Sequence, residues 1–374
     1  MWVAADALEH TSGATRGHVY DEHGDRVDLR GYRVDALTDL TDLAIDRLDR
    51  FDRGRPFLLF VSFLEPHHQN NRFRTIGPTG WARRFAGFDR PGDLPAWRGD
   101  WRWNYAEYLA CCASIDTNLG RLVDHLDRDG RLESTLVVFT SDHGNHFRTR
   151  NLEYKRSPHD ASIRIPLVIA GPGFRDGGHR SDLATNLDLM PTLVTAAGGD
   201  DPGLDGRPLQ TDEGAPDAVL VQVSESQTGR ALRTPTHTYA AKAPGHNPLA
   251  GHLRPAADRY AGTHLYDNTR DPTNATTSST TPPPPICDAP SPPAWQSGSA
   301  RSRAPAPPSP DRRRRWAPWA RPLPLVDRAT LEDLAGLGEQ LEPASTGATL
   351  RRHERPRSVR GEVDPQRVEA RAQA

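Results

Sequence analysis

The chain has 374 residues, enough for one large α/β domain with appendages or for two domains. Hydrophobic residues make up only 36% of the chain, and proline (34) and glycine (31) are both frequent, which predicts that part of it forms no packed core. The formal net charge of -2 excludes a global electrostatic reason for binding nucleic acid or an anionic membrane. The N-terminus lacks a signal-peptide pattern, and no apolar run is long enough to span a bilayer, so we expect a cytoplasmic chain unless an export signal lies upstream.

Helical and strand patterns alternate along the first 200 residues. A turn sequence at residues 21–25 predicts a hairpin. Apolar residues recur at helical spacing over residues 32–51, 104–128 and 187–197. Uninterrupted apolar runs, typical of strands buried on both faces, occupy residues 56–64, 135–140 and 165–170. This alternation predicts an α/β fold with a mostly parallel sheet flanked by helices.

The chain after residue 200 shows shorter strand patterns and then a change in composition. Strand patterns at residues 218–223, 236–241 and 264–266 predict a small antiparallel subdomain over residues 213–272, following a main domain over residues 1–212. Residues 273–374 are rich in Pro, Arg and Ser, and we predict that they are largely disordered apart from a helical stretch at 330–341. Acidic residues interspersed in this tail argue against a basic interaction arm.

Asp142-His143-Gly144 follows the predicted strand at 135–140 directly. A carboxylate and an imidazole at a strand end can share one divalent cation, and glycine permits a tight turn beside them. Taken alone, such a tripeptide is also typical of a solvated turn.

Two further polar clusters follow or precede the other predicted strands. His67 lies in Glu65-Pro66-His67-His68, where an imidazole can serve as an acid or contact an anion. Lys155 opens a basic loop and is a point cation suited to a tetrahedral anion. Because ligands of open α/β sheets bind at the carboxyl ends of the strands, the clusters together predict one site with a metal and an anion.

The order of these motifs resembles that of the arylsulfatase-type sulfatases of the alkaline phosphatase superfamily. The resemblance covers about residues 30 to 272 and rests on Pro66-His67, Ser141-Asp142-His143-Gly144, Lys155, and residues 164–169, 171–173, 186–193 and 264–272. It implies the fold of that family, hydrolysis of sulfate esters, a divalent metal that is usually Ca²⁺, and a sulfated small molecule or sugar as substrate.

The resemblance also implies roles for individual residues. Asp142 and His143 match the last two metal ligands, Lys155 matches the lysine that contacts the sulfate group, and His67 matches the histidine that touches the sulfate and its leaving oxygen. His67 is therefore the candidate acid. Residues that match structural positions of the family are Arg164, Asp188 and Pro191. The pair His159-Asp160 stands where the family often has Tyr-Glu.

Three elements of the family pattern are absent from the sequence. There is no Cys/Ser-x-Pro-x-Arg motif to supply a formylglycine nucleophile, no strand ending in two aspartates for the remaining metal ligands, and no Gly-Lys-x-His segment. Cys111 and Cys112 lie in a predicted helix and are expected to be small buried hydrophobes, and Cys287 completes no zinc or disulfide spacing. We therefore expect a truncated, inactive sulfatase domain. The abrupt end of the pattern at Asp271-Pro272 suggests a shifted reading frame beyond it.

Alternative functions remain open at this point. A phosphodiesterase or phosphonate hydrolase of the same superfamily also fits an Asp-His metal pair. A non-catalytic remnant that binds sulfated sugars through His67, Lys155 and Arg156 is a second alternative. The long predicted loop at 65–103 contains or borders four tryptophans that either pack the loop or border the site: Trp81, Trp97, Trp101 and Trp103. The substrate and the oligomeric state do not follow from the sequence.

Overall fold

The computed structural model describes residues 2–51, 55–95, 97–200, 203–245 and 256–274. The predictions of a disordered tail and of a helix at 330–341 lie outside the described residues. The described helices are α1 (Leu8–Thr11), α2 (Arg33–Phe51), α3 (Trp101–Arg128), α4 (Asp160–Ile163) and α5 (Leu189–Ala196). The described strands are β1 (His18–Tyr20), β2 (Arg26–Asp28), β3 (Val137–Thr140), β4 (Leu167–Ala170), β5 (Val219–Val223), β6 (Gly229–Arg233), β7 (His237–Lys242) and β8 (Ala261–Asp267).

Helices α2 and α3 pack against each other and confirm the two long helical patterns. Val34 on α2 and Ile115 on α3 share a buried cluster with Tyr32. At the edge of this contact the Asn118 side-chain amide donates to the Asp35 carboxylate over 2.7 Å. The apolar stripe of each helix therefore faces the other, as the helical periodicity requires.

The predicted hairpin is present, and the predicted long loop contains local structure. Strands β1 and β2 pair antiparallel, with Val19 opposite Val27. Two 3₁₀ turns, Asn70–Arg72 and Trp81–Phe85, lie between residues 65 and 100. The second turn packs Phe85 against α3, which gives this stretch a core of its own.

The prediction of a mostly parallel sheet is not confirmed, because β3 pairs antiparallel with β4, with Val137 opposite Ala170. Every strand pair among the described residues is antiparallel. A parallel pair needs a crossover connection that is usually a helix. The chain between β3 and β4 contains only the four-residue helix α4, so β4 returns beside β3 in the opposite direction.

The predicted strand at 56–64 is wrong for the described residues. This segment forms no strand pair with any of them, and two of its apolar side chains face solvent: Leu58 is 78% exposed and Phe60 is 88% exposed, although Phe63 packs against the buried cluster around Val34. An apolar run becomes a doubly buried strand only when neighbours cover both of its faces. The described part of the chain supplies no such neighbour, and an unpaired apolar segment of this kind promotes association.

Replacing Leu58 and Phe60 together with glutamine is expected to reduce aggregation without lowering the midpoint of thermal unfolding, because both side chains are already exposed. Light scattering and thermal unfolding measure the two effects. Phe85→Gln is the matched control: it removes a side chain that is only 4% exposed, and it should lower the unfolding midpoint. Unchanged aggregation of the double variant would contradict this assignment.

The predicted antiparallel strands after residue 212 are present as a four-stranded sheet in the order β5-β6-β7-β8. Strand β6 was not predicted, because Gly229–Arg233 contains only two apolar residues. Ala231 on β6 nevertheless pairs with Ala240 on β7, and both are buried. The proposed boundary between residues 212 and 213 stays a prediction. Among the described helices, none combines the length and apolar character needed to cross a membrane.

Candidate functional site

The loop after β3 is held against helix α4 and against the loop that precedes it. The Gly144 backbone amide donates to the Ser162 carbonyl oxygen over 2.8 Å, and the His146 amide donates to the Tyr154 carbonyl oxygen over 2.8 Å. A Cβ atom at residue 144 would lie 2.2 Å from the Ala161 carbonyl oxygen in α4. Only glycine allows this approach to α4, and the bond from His146 to Tyr154 holds the loop that follows Asp142-His143 beside the Lys155 loop.

The structure brings His67 and Lys155 into direct contact. His67 Nδ1 lies 2.6 Å from the His68 carbonyl oxygen, so that Nδ1 carries the proton and Nε2 presents a lone pair. Lys155 Nζ lies 3.3 Å from this Nε2, and the Tyr154 hydroxyl lies 3.2 Å from it. Because an ammonium group can only donate hydrogen bonds, Lys155 Nζ is the donor and His67 Nε2 is the acceptor of this contact. Two of the three predicted clusters therefore lie in direct contact, and Lys155 supplies a positive charge beside His67.

His143 joins this group from the third cluster. Its ring centroid lies 5.9 Å from that of His67, and its Nδ1 contacts the Gly144 carbonyl oxygen over 2.8 Å. Ser141 Oγ donates to the His143 carbonyl oxygen over 2.8 Å, which fixes the turn. Burial lowers the pKa of His143, against the opposing effects of the hydrogen bond to Gly144 and of Asp142. His143 is thus a neutral imidazole, the form that can ligate a metal.

The Asp142 carboxylate and Nε2 of the His143 ring are both hydrogen-bond acceptors, and they face each other. His143 Nε2 lies 3.3 Å from Asp142 Oδ2, yet this buried nitrogen has no hydrogen-bond partner among the described residues. A lone pair facing a carboxylate is relieved by a shared cation, which fits the predicted metal pair. However, the described residues contain no group of three or more His, Cys, Asp or Glu side chains that could hold a metal ion. The described residues therefore fit a metal only as two ligands of a larger set.

A buried ion pair that the motif analysis missed positions the His67 segment. Arg33 Nη2 lies 2.7 Å from Glu65 Oε1, and each side chain is only 2% exposed. Arg33 also donates to the Ser12 carbonyl oxygen over 2.7 Å and to Gln69 Oε1 over 3.1 Å. Glu65 is therefore a structural residue, and its pairing anchors the turn that carries His67 to the start of α2.

Tyr154 and His68 are further neighbours of the site that the sequence did not reveal. The His68 ring stacks on Tyr154 at 5.4 Å between centroids, and Tyr154 in turn meets His67 edge-on at 5.2 Å. The only sequence feature that connects Tyr154 with the site is its position directly before Lys155. No motif singles out the tyrosine, because its contact with His67 joins residues 87 positions apart.

The residues matched to structural positions have different environments. The Asp188 carboxylate closes a capping box with Thr185 and accepts from the Arg207 amide over 2.9 Å, which agrees with a scaffold role, and Pro191 is buried in α5. Arg164 is exposed. The Asp160 carboxylate pairs with Arg233 on β6 over 3.2 Å.

Cys111, Cys112 and one of the tryptophans serve packing. Cys111 is fully buried, and burial raises the pKa of the Cys112 thiol to about 12, so neither thiol is a nucleophile at neutral pH. Trp81 packs in the cluster around Phe85, whereas Trp97 and Trp103 are 79% and 76% exposed.

Comparisons with known proteins point to one group of enzymes. A family sequence model described as Sulfatase matches residues 13–199. The chain is 42% identical over 91 residues to a choline-sulfatase of Rhizobium meliloti (strain 1021), which covers 24% of this chain and 18% of the relative. It is 28% identical over 185 residues to an N-acetylglucosamine-6-sulfatase of Capra hircus, covering 45% of this chain and 33% of the relative. The crystal structure of the putative sulfatase yidJ from Bacteroides fragilis superposes with a TM-score of 0.57 at 20% identity, covering 73% of this chain and 59% of that one. The chain therefore matches at most a third of the length of these two curated relatives.

Proposed function

The chain belongs to the sulfatase family, and on that premise we propose that it contributes the His67–Lys155 part of a site for hydrolysing sulfate esters. The observation that carries this proposal is the convergence of Lys155 Nζ and the Tyr154 hydroxyl on His67 Nε2, at 3.3 and 3.2 Å. A sulfate oxygen can replace the imidazole as acceptor of these donors. A sulfated sugar is the proposed substrate class, in keeping with the relative named as an N-acetylglucosamine-6-sulfatase.

The chemistry of the proposed reaction assigns two tasks to these side chains. Hydrolysis forms a bond between sulfur and the incoming oxygen and breaks the bond between sulfur and the ester oxygen, which leaves with its electron pair and needs a proton. Lys155 would stabilise the negative charge on the sulfate oxygens. His67, once protonated at Nε2, would give its proton to the leaving oxygen. His68 keeps the other ring nitrogen occupied, so that Nε2 is the nitrogen that faces the substrate.

The binding step tests the proposal in this chain. We expect an aryl sulfate to bind weakly, and Lys155→Ala to weaken this binding about tenfold, the loss typical of one charged hydrogen bond. Arg30→Gln is the control, because Arg30 is exposed and precedes α2. Titration with the aryl sulfate, followed by NMR, measures the affinity of the wild type and of each variant. Equal affinities of the wild type and Lys155→Ala would contradict the proposal.

Turnover is a separate part of the proposal. The sequence contains no Cys/Ser-x-Pro-x-Arg motif for a nucleophile, so we propose that this chain alone does not hydrolyse sulfate esters. Release of the phenol from an aryl sulfate by the pure chain, abolished in Asp142→Ala, would overturn this part while supporting the site itself.

Metal binding is proposed to be weak. Calcium takes six to eight oxygen ligands, and the pair Asp142 and His143 offers one carboxylate and a nitrogen that suits calcium poorly. We expect a calcium dissociation constant above about 1 mM, and weaker binding still in Asp142→Ala. Calorimetric titration measures it, and saturation at micromolar calcium that disappears in Asp142→Ala would show that the chain holds a complete site.

The sugar-binding alternative without catalysis is less well supported by the structure. It needs Arg156 to contact the ligand, but the Arg156 guanidinium pairs with Glu153 over 2.6 Å and also with Glu225. These two carboxylates occupy the donors that a sulfated sugar would use.

A further inference from the structure

A cavity of about 340 Å³ lies between the segment 149–159 and the four-stranded sheet β5–β8. Arg150 and His159 line it from the segment, and Arg230, Lys242 and His264 line it from the sheet. None of His67, Asp142, His143 and Lys155 is among its lining residues. The cavity is therefore separate from the site described above.

The formally charged side chains that line the cavity are all cationic. Four cationic side chains contribute to it: Arg98, Arg150, Arg230 and Lys242. None of the described residues lining it carries a carboxylate. The nearest acids that act on Arg150 are Asp93 and Asp271, and they offset part of its charge from outside the lining. A partly enclosed wall with several cations and no anion strongly attracts a negatively charged group.

Two residues that line the cavity each have a buried nitrogen atom with no hydrogen-bond partner among the described residues. His159 is 6% exposed, and its Nε2 lies 2.9 Å from the Tyr266 hydroxyl, but within the described part of the chain its Nδ1 has no partner. The Nε of Arg150 is also buried and has no partner among the residues that the structure describes, although its terminal nitrogens donate to the carbonyl oxygens of Asn274 and Thr273 over 2.7 Å each. Buried donors of this kind are normally satisfied, so they mark a place where a ligand acceptor belongs.

The protonation state of His159 fits this reading. Burial and the nearby Arg150 lower its pKa to about 2, so the ring is neutral and carries one proton. When the Tyr266 hydroxyl donates to Nε2, that proton sits on Nδ1, the nitrogen without a partner. His159 then offers a neutral donor beside the cations.

We infer that this cavity is a second anion-binding site, which holds a sulfate or carboxylate group of a ligand through Lys242, Arg230 and the Nδ1 donor of His159. The inference does not depend on the proposed hydrolysis, since it uses none of the residues assigned to it. It also gives a reason for histidine at the position between Pro158 and Asp160, because a neutral imidazole accepts a hydrogen bond on one side of its ring and donates one on the other.

Calorimetric titration with sodium sulfate and with sodium acetate, at an ionic strength held constant with sodium chloride, tests the inference. We expect saturable binding, weakened about tenfold in Lys242→Gln and in Arg230→Gln. Arg30→Gln and Lys155→Gln should bind at this site like the wild type. Binding of sulfate alone identifies a sulfate-type group, and binding of acetate as well identifies a carboxylate.

Three outcomes would overturn the inference: no saturable binding of either anion, binding unaffected by both cavity substitutions, or binding lost only in Lys155→Gln. The last outcome would place the anion at the His67–Lys155 site and so separates the two proposals. If circular dichroism shows that a cavity variant is unfolded, the unmodified chain decides the matter. Titration of histidine-labelled wild type with the bound anion must then shift the Nδ1 resonance of His159, and an unchanged resonance refutes the inference.

Discussion

Replacing Glu65 with alanine is expected to lower the free energy of unfolding by about 3–5 kcal/mol, because it leaves the Arg33 guanidinium buried without its counter-charge. Both side chains are 2% exposed, and Arg33 Nη2 lies 2.7 Å from Glu65 Oε1. Since water cannot reach the unpaired charge, nothing compensates for the lost contact. Urea unfolding followed by tryptophan fluorescence measures the loss.

The control for this substitution is an ion pair of the same kind on the surface. Arg26 and Asp28 are also 2.7 Å apart, but their side chains are 59% and 69% exposed. Asp28→Ala should change the free energy of unfolding by at most about 1 kcal/mol, because solvent screens such pairs. Similar losses in Glu65→Ala and Asp28→Ala would refute the anchoring role of the buried pair.

Gly144→Ala is the second substitution with a large expected effect. The new Cβ atom would meet the Ala161 carbonyl oxygen at 2.2 Å, so either the loop after β3 or helix α4 must move. We expect a loss of about 3 kcal/mol in the free energy of unfolding, at the upper end of the cost of overpacking. The movement should also separate His143 from the Lys155 loop and weaken aryl sulfate binding, which NMR titration detects.

Gly120→Ala is the matched control for the glycine substitution. Gly120 lies inside α3, and a Cβ atom there would meet nothing within 4 Å. Alanine in a helix interior is favoured over glycine by about 0.5–1 kcal/mol, so this variant should be more stable than the wild type. If Gly144→Ala were as stable as Gly120→Ala, the close approach of the loop after β3 to helix α4 would not be a real constraint.

Local patterns predicted the elements whose stability depends on residues close in the chain. The helical spacing of residues 32–51 and 104–128 corresponds to α2 and α3, because an amphipathic helix needs only one partner surface. The strand patterns near 137–140 and 167–170 were also placed correctly. The relative direction of β3 and β4 was predicted wrongly. Strand direction depends on whether the connection contains a crossover helix, and helix α4 is too short for that role.

The apolar run at 56–64 shows why burial is a tertiary property. Its composition is typical of a central strand, yet Leu58 and Phe60 are exposed because no described residue pairs with them. Strand β6 shows the opposite case, in which a weakly apolar sequence is buried because β5 and β7 flank it on both sides. In both cases the neighbours in space decide the outcome.

The same distinction between local sequence patterns and tertiary contacts applies to the candidate site. Sequence patterns indicate which side chains follow the strands and turns, and so name His67, Asp142, His143 and Lys155 as candidate groups of the site. The folded structure is needed to show that Lys155 contacts His67, that Tyr154 joins them, and that Arg33 neutralises Glu65. These contacts join residues 32 to 88 positions apart, and the packing that brings such residues within hydrogen-bond distance is set by the whole fold, not by the spacing within any one motif.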